Sequence, residues 1–177
     1  LALLALILLS WLFVILCIAI KVDSRGPILF KQKRVGLHKS HFSILKFRTM
    51  RIDTPKDMPT HMLKDPDQYI TKVGKILRKL SLDELMQFFN VFKGDMTLVG
   101  PRPPLPREVD YYTDYQKLRL HVTPGITCTW QIHKNRNDVP FEEWVEMDLD
   151  YIQNRTFPGD LLIMLKTPIV MLSGTGR

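Results

Sequence analysis

Cysteine is scarce: the chain holds two, Cys17 and Cys128, among 177 residues. They form neither a CxxC pair nor a metal spacing, and Cys17 lies inside an apolar run. This argues against a disulfide-stapled or thioredoxin-like protein and suits a reducing compartment. The five histidines, at 38, 41, 61, 121 and 133, add no zinc spacing and carry no assigned role. Internal repeats and low-complexity tracts are missing, so solenoids and linker-like chains are set aside. No methionine opens the chain, and a fragment or processed form is expected. Charge is missing altogether from residues 1–20.

That uncharged stretch, LALLALILLSWLFVILCIAI, is apolar everywhere except Ser10. Twenty helical residues reach about 30 Å, the hydrocarbon thickness of a bilayer. A cleaved signal peptide would have a shorter apolar region and a small-residue cleavage site, whereas IKVDSRGPILFKQKR follows here. A retained membrane helix is the expectation, with Lys21 and the basic run after it on the cytoplasmic side. Trp11, midway along, mildly favours a helix that does not cross straight through, because Trp prefers the interface. Re-entrant and spanning arrangements both stay open.

The basic charge is unevenly placed. Residues 21–60 hold ten Lys or Arg against Asp23, Asp53 and Asp57, while residues 61–177 hold fifteen of each sign. The whole net charge of +7 therefore follows the apolar segment. Such a patch suits anionic headgroups or a phosphorylated substrate. It would also suit a nucleic-acid-binding module, but the adjoining membrane segment and the lack of a binding motif argue against nucleic acid as a partner.

The remaining length is enough for one domain with a core. GPILFKQKRVG and HKSHFSILKFRTM alternate apolar and basic residues around a turn at Gly36 to Ser40 and predict a short hairpin. Residues 51–68, with Pro55, Pro59 and Pro66, read as a loop able to move over a site. VGKILRKL predicts a short amphipathic helix leading into SLDE. A helix from Leu82 to Phe92 would bury Leu82, Leu85, Met86 and Phe89 and turn Asp83, Gln87 and Asn90 to the polar side. Ser81 and Glu84 fit a capping box at its start, a structural role that competes with any chemical role for the acidic pair. REVDYYTDYQKLRLHV and FEEWVEMDLDYIQN predict two further helices. LLIMLKTPIVML, too short to span, fits either the headgroup plane or the core. The fold class is α+β, mainly helical: a membrane-embedded helix over 1–20, then one compact cytoplasmic catalytic domain over 21–177 with amphipathic interfacial helices and a small β element.

DSRGPILFKQKRVG, FSILKFRTM, GKILRKLSLDELMQFFNVFKGDMTLVGPRP, KLRLHVTPGIT, FEEWVEMDLDYI and DLLIMLKTPIVML occur in an order that resembles the bacterial sugar transferases, the monotopic phosphoglycosyl transferases, over essentially the whole chain. The resemblance implies transfer of a sugar 1-phosphate from a nucleoside diphosphate sugar, commonly a UDP-sugar, to polyprenyl (undecaprenyl) phosphate in the bacterial inner membrane. A nucleoside monophosphate would leave, and capsule, O-antigen, exopolysaccharide or glycoprotein glycan assembly would begin. The family's acidic dyad aligns with Asp83 and Glu84, Asp83 as nucleophile, with Mg²⁺ as the expected metal. Members can carry further N-terminal membrane helices. The family often has Ser-Pro in mid-helix, where proline forces a re-entrant break; here the pair is Ser10-Trp11, and Ser10 alone would bend a helix slightly.

Within that reading a carboxylate such as Asp83 needs no base, being ionised at neutral pH, and the helix N-terminus is expected to keep it so. Asp83 and Glu84 are the metal-ligand candidates, Glu84 first. Lys46, Arg48, Arg78 and Arg102 are the candidates for diphosphate contacts, with Arg136 weaker because HKNRND replaces the family's Ser-Gly-Arg-like turn. Lipids are expected partners, and a homo-oligomer is left open. The alternative is a catalytically inactive, membrane-tethered scaffold of a glycan-assembly complex.

Overall fold

The computed structural model describes residues 1–54, 66–133 and 139–172. Its N-terminal apolar run forms two helices where one is expected. Helix α1 (Ala2–Leu8) and helix α2 (Ser10–Asp23) meet at Leu9 with a 62° bend, and Leu9 itself (φ −94°, ψ 3°) leaves the helical region. No proline is needed for the break, which far exceeds the slight bend expected of Ser10. Among the described residues no single helix is long and apolar enough to cross a membrane; only this bent pair meets that test together. Leu16 and Ile20 of α2 are buried, with Leu12, Phe13 and Cys17 packed around them, while Ile7, Leu8, Trp11, Val14, Ile15 and Ile18 are exposed.

The predicted hairpin is present. Strands β1 (Leu29–Val35) and β2 (His41–Phe47) pair antiparallel, from Leu29 opposite Phe47 to Val35 opposite His41. Helix α3 (Lys72–Lys79) matches VGKILRKL. Its N-cap is Thr71, whose Oγ1 accepts from Gly74 N at 2.9 Å, and Asp23 Oδ2 accepts from Val73 N at 2.9 Å, joining the end of α2 to the start of α3. Gly74 is required by close approach: a Cβ there would lie 2.1 Å from the Thr49 carbonyl oxygen. Phe47, Leu77 and Met86 meet Leu16 and Ile20 in one core cluster. Most of the expected 51–68 loop, residues 55–65, lies outside the described residues.

The next element departs from expectation. A five-residue 3₁₀ turn (Leu82–Met86) precedes helix α4 (Gln87–Lys93), which Gly94 ends at φ 87°. A 3₁₀ turn advances about 120° per residue against about 100° in an α-helix. The faces of α4 are therefore rotated from their expected directions. Phe89 and Phe92 are exposed, whereas Gln87 and Asn90 are 3% and 0% exposed. Asn90 serves β2 as a neighbouring strand would: its Oδ1 accepts from Leu45 N (2.9 Å), and its Nδ2 donates to Ser43 O (2.9 Å) and Asp95 Oδ2 (3.1 Å).

The C-terminal half is built on a two-stranded parallel sheet, β3 (Thr97–Val99) with β4 (Gly125–Thr127). Where one helix is expected over 107–122 there are two short ones, α5 (Pro106–Val109) and α6 (Asp114–Lys117), and a 3₁₀ turn Leu118–His121. The break is the capping box of Thr113 with Gln116: Gln116 N donates to Thr113 Oγ1 (3.2 Å) and Thr113 N to Gln116 Oε1 (2.9 Å). Helix α7 (Phe141–Asn154) has the expected bounds and buries Asp148, which pairs with the buried Arg119 guanidinium. Helix α8 (Phe157–Leu172) buries Ile163 against Val99 and Tyr151 but leaves Phe157, Leu162, Leu165 and Ile169 exposed, so it lies on the surface and is not a core helix.

Replacing Asn90 by Leu strands the Leu45 N–H and the Ser43 carbonyl, at a cost of about 2–4 kcal/mol. Phe92→Ser is expected to change stability by under about 0.5 kcal/mol. Denaturant titration of the two variants in one detergent checks the ordering.

Candidate active site

The capping box anticipated at Ser81 does not form. Ser81 sits in the left-handed region (φ 52°) and makes no side-chain cap bond; its backbone N donates to Arg78 O at 3.1 Å and its carbonyl accepts from Glu84 N at 3.2 Å. The Glu84 carboxylate reaches across to β2, where its Oε1 accepts from Lys46 Nζ at 2.6 Å, with the Arg102 guanidinium 3.6 Å away. Strand alternation supports this: Phe47 is buried in the core, so Lys46 is presented on the other face.

The two acids are driven apart electrostatically. Burial, reinforced by the charge of Glu84, pushes Asp83 up to about 6 against the pull of Lys46 and Arg78. Burial also works to raise Glu84, but Lys46, Arg102 and Arg34 overcome it and bring Glu84 down to about 2. One carboxylate of the pair is thus ionised across the working range, and the other titrates near neutrality. The helix N-terminus does not dominate Asp83 as expected: a five-residue 3₁₀ turn offers little dipole, and desolvation outweighs it.

Arg78 Nε donates to Thr49 Oγ1 at 2.9 Å; burial lowers its pKa and the charge of Asp83 opposes that. Arg102 rides on the Pro101–Pro104 corner, which is pinned on both sides. Arg34 Nη1 donates to Pro103 O, Val35 N to Pro104 O and Gly125 N to Pro101 O, each at 3.0 Å. The fold therefore gathers Asp83, Glu84, Lys46, Arg78 and Arg102. It uses Arg48 differently. That guanidinium is 6% exposed and donates to Ser24 O (2.8 Å), Ser24 Oγ (2.9 Å) and Arg25 O (2.5 Å), tying the end of α2 to the approach of β1. Gly26, at φ 123°, makes room for it, since a Cβ there would sit 2.2 Å from Arg48 Nη1. Arg136 lies outside the described residues.

Arg34 belongs to this constellation although sequence reasoning passed over it. Burial and the neighbouring Arg102 push its pKa down to about 10. A signal was available: in KQKRV, period-2 alternation separates Gln32 and Arg34 from Lys31 and Lys33, and Arg34 Nη2 does donate to Gln32 Oε1 at 2.7 Å.

A family model described as bacterial sugar transferase matches residues 1–174. The chain belongs to that family. It is 46% identical over 161 residues to the galactosyl transferase CpsE of Streptococcus agalactiae, covering 85% of this chain and 36% of that protein. It is 38% identical over 187 residues to the exopolysaccharide production protein ExoY of Sinorhizobium fredii, covering 97% of this chain and 82% of ExoY. Over 182 residues it is 36% identical to a Xanthomonas campestris protein named UDP-glucose:undecaprenyl-phosphate glucose-1-phosphate transferase, covering 97% of this chain and 37% of that one. The chain thus spans about a third of two of these relatives and four-fifths of the third. For this sugar transferase, the family match covers every residue of the acidic and basic cluster.

Because folding raises the pKa of Asp83, its charge costs stability once pH exceeds the unfolded value near 4, and the full cost is present above about 6. Asp83→Asn should therefore stabilise the folded protein at pH 7.5 by on the order of 1 kcal/mol, after allowance for partial exposure, and change it little at pH 4. Glu84→Gln should cost about 2 kcal/mol at pH 7.5, since Lys46 and Arg102 lose their counter-charge. Thermal melts at the two pH values read both effects.

Proposed function

We propose that this sugar transferase moves a sugar 1-phosphate from a nucleoside diphosphate sugar, a UDP-sugar in the first instance, to undecaprenyl phosphate and releases UMP. The observation that carries the reading is the split acidic pair: one carboxylate locked as an anion among cations, its neighbour partly buried with an affinity for protons near pH 6. The Xanthomonas relative's name supplies the substrate class. Glycan assembly at the inner membrane would begin with this product.

The chemistry is a double displacement. An Asp83 carboxylate oxygen attacks the β-phosphorus and forms a new P–O bond, while the bond from that phosphorus to the bridging oxygen breaks and UMP departs with the electron pair. An oxygen of undecaprenyl phosphate then attacks the phosphosugar–aspartyl intermediate, and Asp83 leaves as a carboxylate. With a pKa near 6, Asp83 is about nine-tenths ionised at pH 7, yet more basic than an ordinary carboxylate and so a better nucleophile. Lys46, Arg78 and Arg102 offset the charge of the incoming diphosphate.

Among the described residues no three His, Cys, Asp or Glu side chains gather as a metal cage. Mg²⁺ commonly needs only one or two carboxylates plus substrate phosphates, so Asp83 and Glu84 fit an ion that arrives with the diphosphate. Held there, it would neutralise charge on the phosphate oxygens.

Exposed apolar residues on α1, α2 and α8, together with Phe89 and Phe92 of α4, support a membrane-embedded chain. In this reading the bent pair enters and leaves on one face, α8 lies in the headgroup plane, and the basic segment 21–60 faces anionic lipid on the cytoplasmic side.

A nucleotide-sugar panel with purified protein, with and without undecaprenyl phosphate, tests the proposal through UMP release and intact mass. The expected result is a phosphosugar adduct on Asp83 before lipid is added, and loss of both adduct and turnover in Asp83→Asn by at least about 10³-fold. The rate should fall about tenfold per pH unit below 6, since Asp83 must be ionised. Substantial turnover by Asp83→Asn would replace this mechanism with direct displacement, and silence across the panel would leave the scaffold alternative.

A further inference from the structure

The Pro101–Pro104 corner has one backbone donor of its own, Arg102 N, because Pro101, Pro103 and Pro104 lack an N–H. It is fixed through its carbonyls, each of which accepts from a different part of the chain. Pro101 O accepts from Gly125 N, Pro103 O from Arg34 Nη1 and Pro104 O from Val35 N, each at 3.0 Å. The remaining carbonyl, Arg102 O, accepts from Arg119 Nη2 at 3.4 Å. We propose that the buried pair of Arg119 and Asp148 positions Arg102, holding its backbone so that its guanidinium meets Glu84 and an incoming diphosphate. The proposal rests on the phosphoglycosyl transfer reading above and gives a role to two residues that reading leaves unused.

Three observations carry it. The first is place. Arg119 touches the backbone of the one corner residue whose side chain reaches the acidic pair, Arg102 Nη2 lying 3.6 Å from Glu84 Oε1. The second is how firmly Arg119 is held. Its Nη2 also donates to Asp148 Oδ2 and its Nη1 to Tyr112 Oη at 3.4 Å, so one guanidinium ties the corner to α7 and to the segment between α5 and α6. Asp148 is fixed in turn, because Val145, Leu149 and Tyr151 on either side of it in α7 are buried. The third is that the pair is a poor stabiliser. Arg119 Nε and Asp148 Oδ1 are buried without a hydrogen-bond partner among the described residues, and burial pushes Asp148 up to about 6 against the pull of Arg119.

A buried ion pair of this kind is often replaced by apolar residues of similar volume with no loss of stability. Stability is therefore a weak reason for charges at these two positions. What apolar side chains do not supply is a directed N–H for the Arg102 carbonyl. A small displacement of a charge that offsets a reacting diphosphate lowers the rate steeply. Three other anchors remain on the corner, so losing this one should weaken the placement of Arg102 without abolishing it.

The test uses the full chain in one detergent and the paired replacement Arg119→Met with Asp148→Val, which removes both charges together. Its melting temperature should stay within about 3 °C of wild type. Amide hydrogen exchange should be about tenfold faster at Val35 and Gly125, which donate to the corner, and within about twofold of wild type at Leu45, which Asn90 holds instead. UMP release should lose about tenfold in kcat/KM for the nucleotide sugar, and the same replacement made in an Arg102→Ala background should change it by less than about twofold, because the pair acts through Arg102. Arg119→Lys keeps the charge but does not hold Asp148 and the Arg102 carbonyl together, so it should give intermediate values of both readings. The proposal is overturned if exchange at Val35 and Gly125 is unchanged, or if the losses from the pair and from Arg102→Ala multiply. Wild-type values in Arg119→Lys overturn it as well, even if the paired variant does not fold. Should exchange follow the expected pattern while the wild type releases no UMP from any nucleotide sugar, the positioning role stands and the transfer reading falls.

Discussion

The contact between Lys46 and Glu84 joins the two halves of the site. It ties the end of the hairpin to a 3₁₀ turn 38 residues later in the chain, at 2.6 Å. The electrostatics of the cluster depend on it. With Glu84 held as an anion, a second charge on Asp83 is resisted both by that neighbour and by burial, and a carboxylate that would be almost fully ionised at pH 5 in water becomes one that titrates near neutrality. A lone surface ion pair would contribute little. This one matters because Arg102 approaches the same oxygen from the proline corner, so three separate segments of chain depend on one carboxylate.

The framework serves that convergence. Asn90 completes the outer edge of β2, which keeps Lys46 at a set height relative to the turn. Arg34 and Gly125 clamp the Pro101–Pro104 corner from both sides. Arg48, anticipated among the substrate contacts, instead secures the passage from α2 into β1. Buried polar groups here therefore hold loops in position, and the apolar cluster of Leu16, Ile20, Phe47, Leu77 and Met86 supplies the cohesion that keeps them dry.

How much was legible in the sequence varies with the range of the interaction. Local signals read well. Alternating apolar and basic residues around Gly36–Ser40 announced the hairpin, the 3.6-residue spacing announced α3 and α7, and the ordered motifs announced the family. Local signals also misled where two local structures compete. Ser81 and Glu84 satisfy the residue pattern of a capping box, but a left-handed Ser81 and the 3₁₀ turn after it release Glu84 to find Lys46. The same turn rotated α4, so Phe89 and Phe92 face outward while Gln87 and Asn90 are buried. An apolar exterior on that helix makes sense next to α1, whose outer face is equally apolar.

By itself the sequence determined the family, the uncharged N-terminal run and the candidates for chemistry, the acidic pair and the basic residues. Residue type and short-range periodicity are enough for that, because charge, hydropathy and turn propensity are properties of the chain. Only the tertiary structure decided that the apolar run breaks at Leu9, that Arg34 stands beside Arg102 while Arg48 is taken up by Ser24 and Arg25, and that Asp83 and Glu84 part company in proton affinity. Those outcomes depend on distance and desolvation among residues far apart in the chain, and neither is encoded in any one segment.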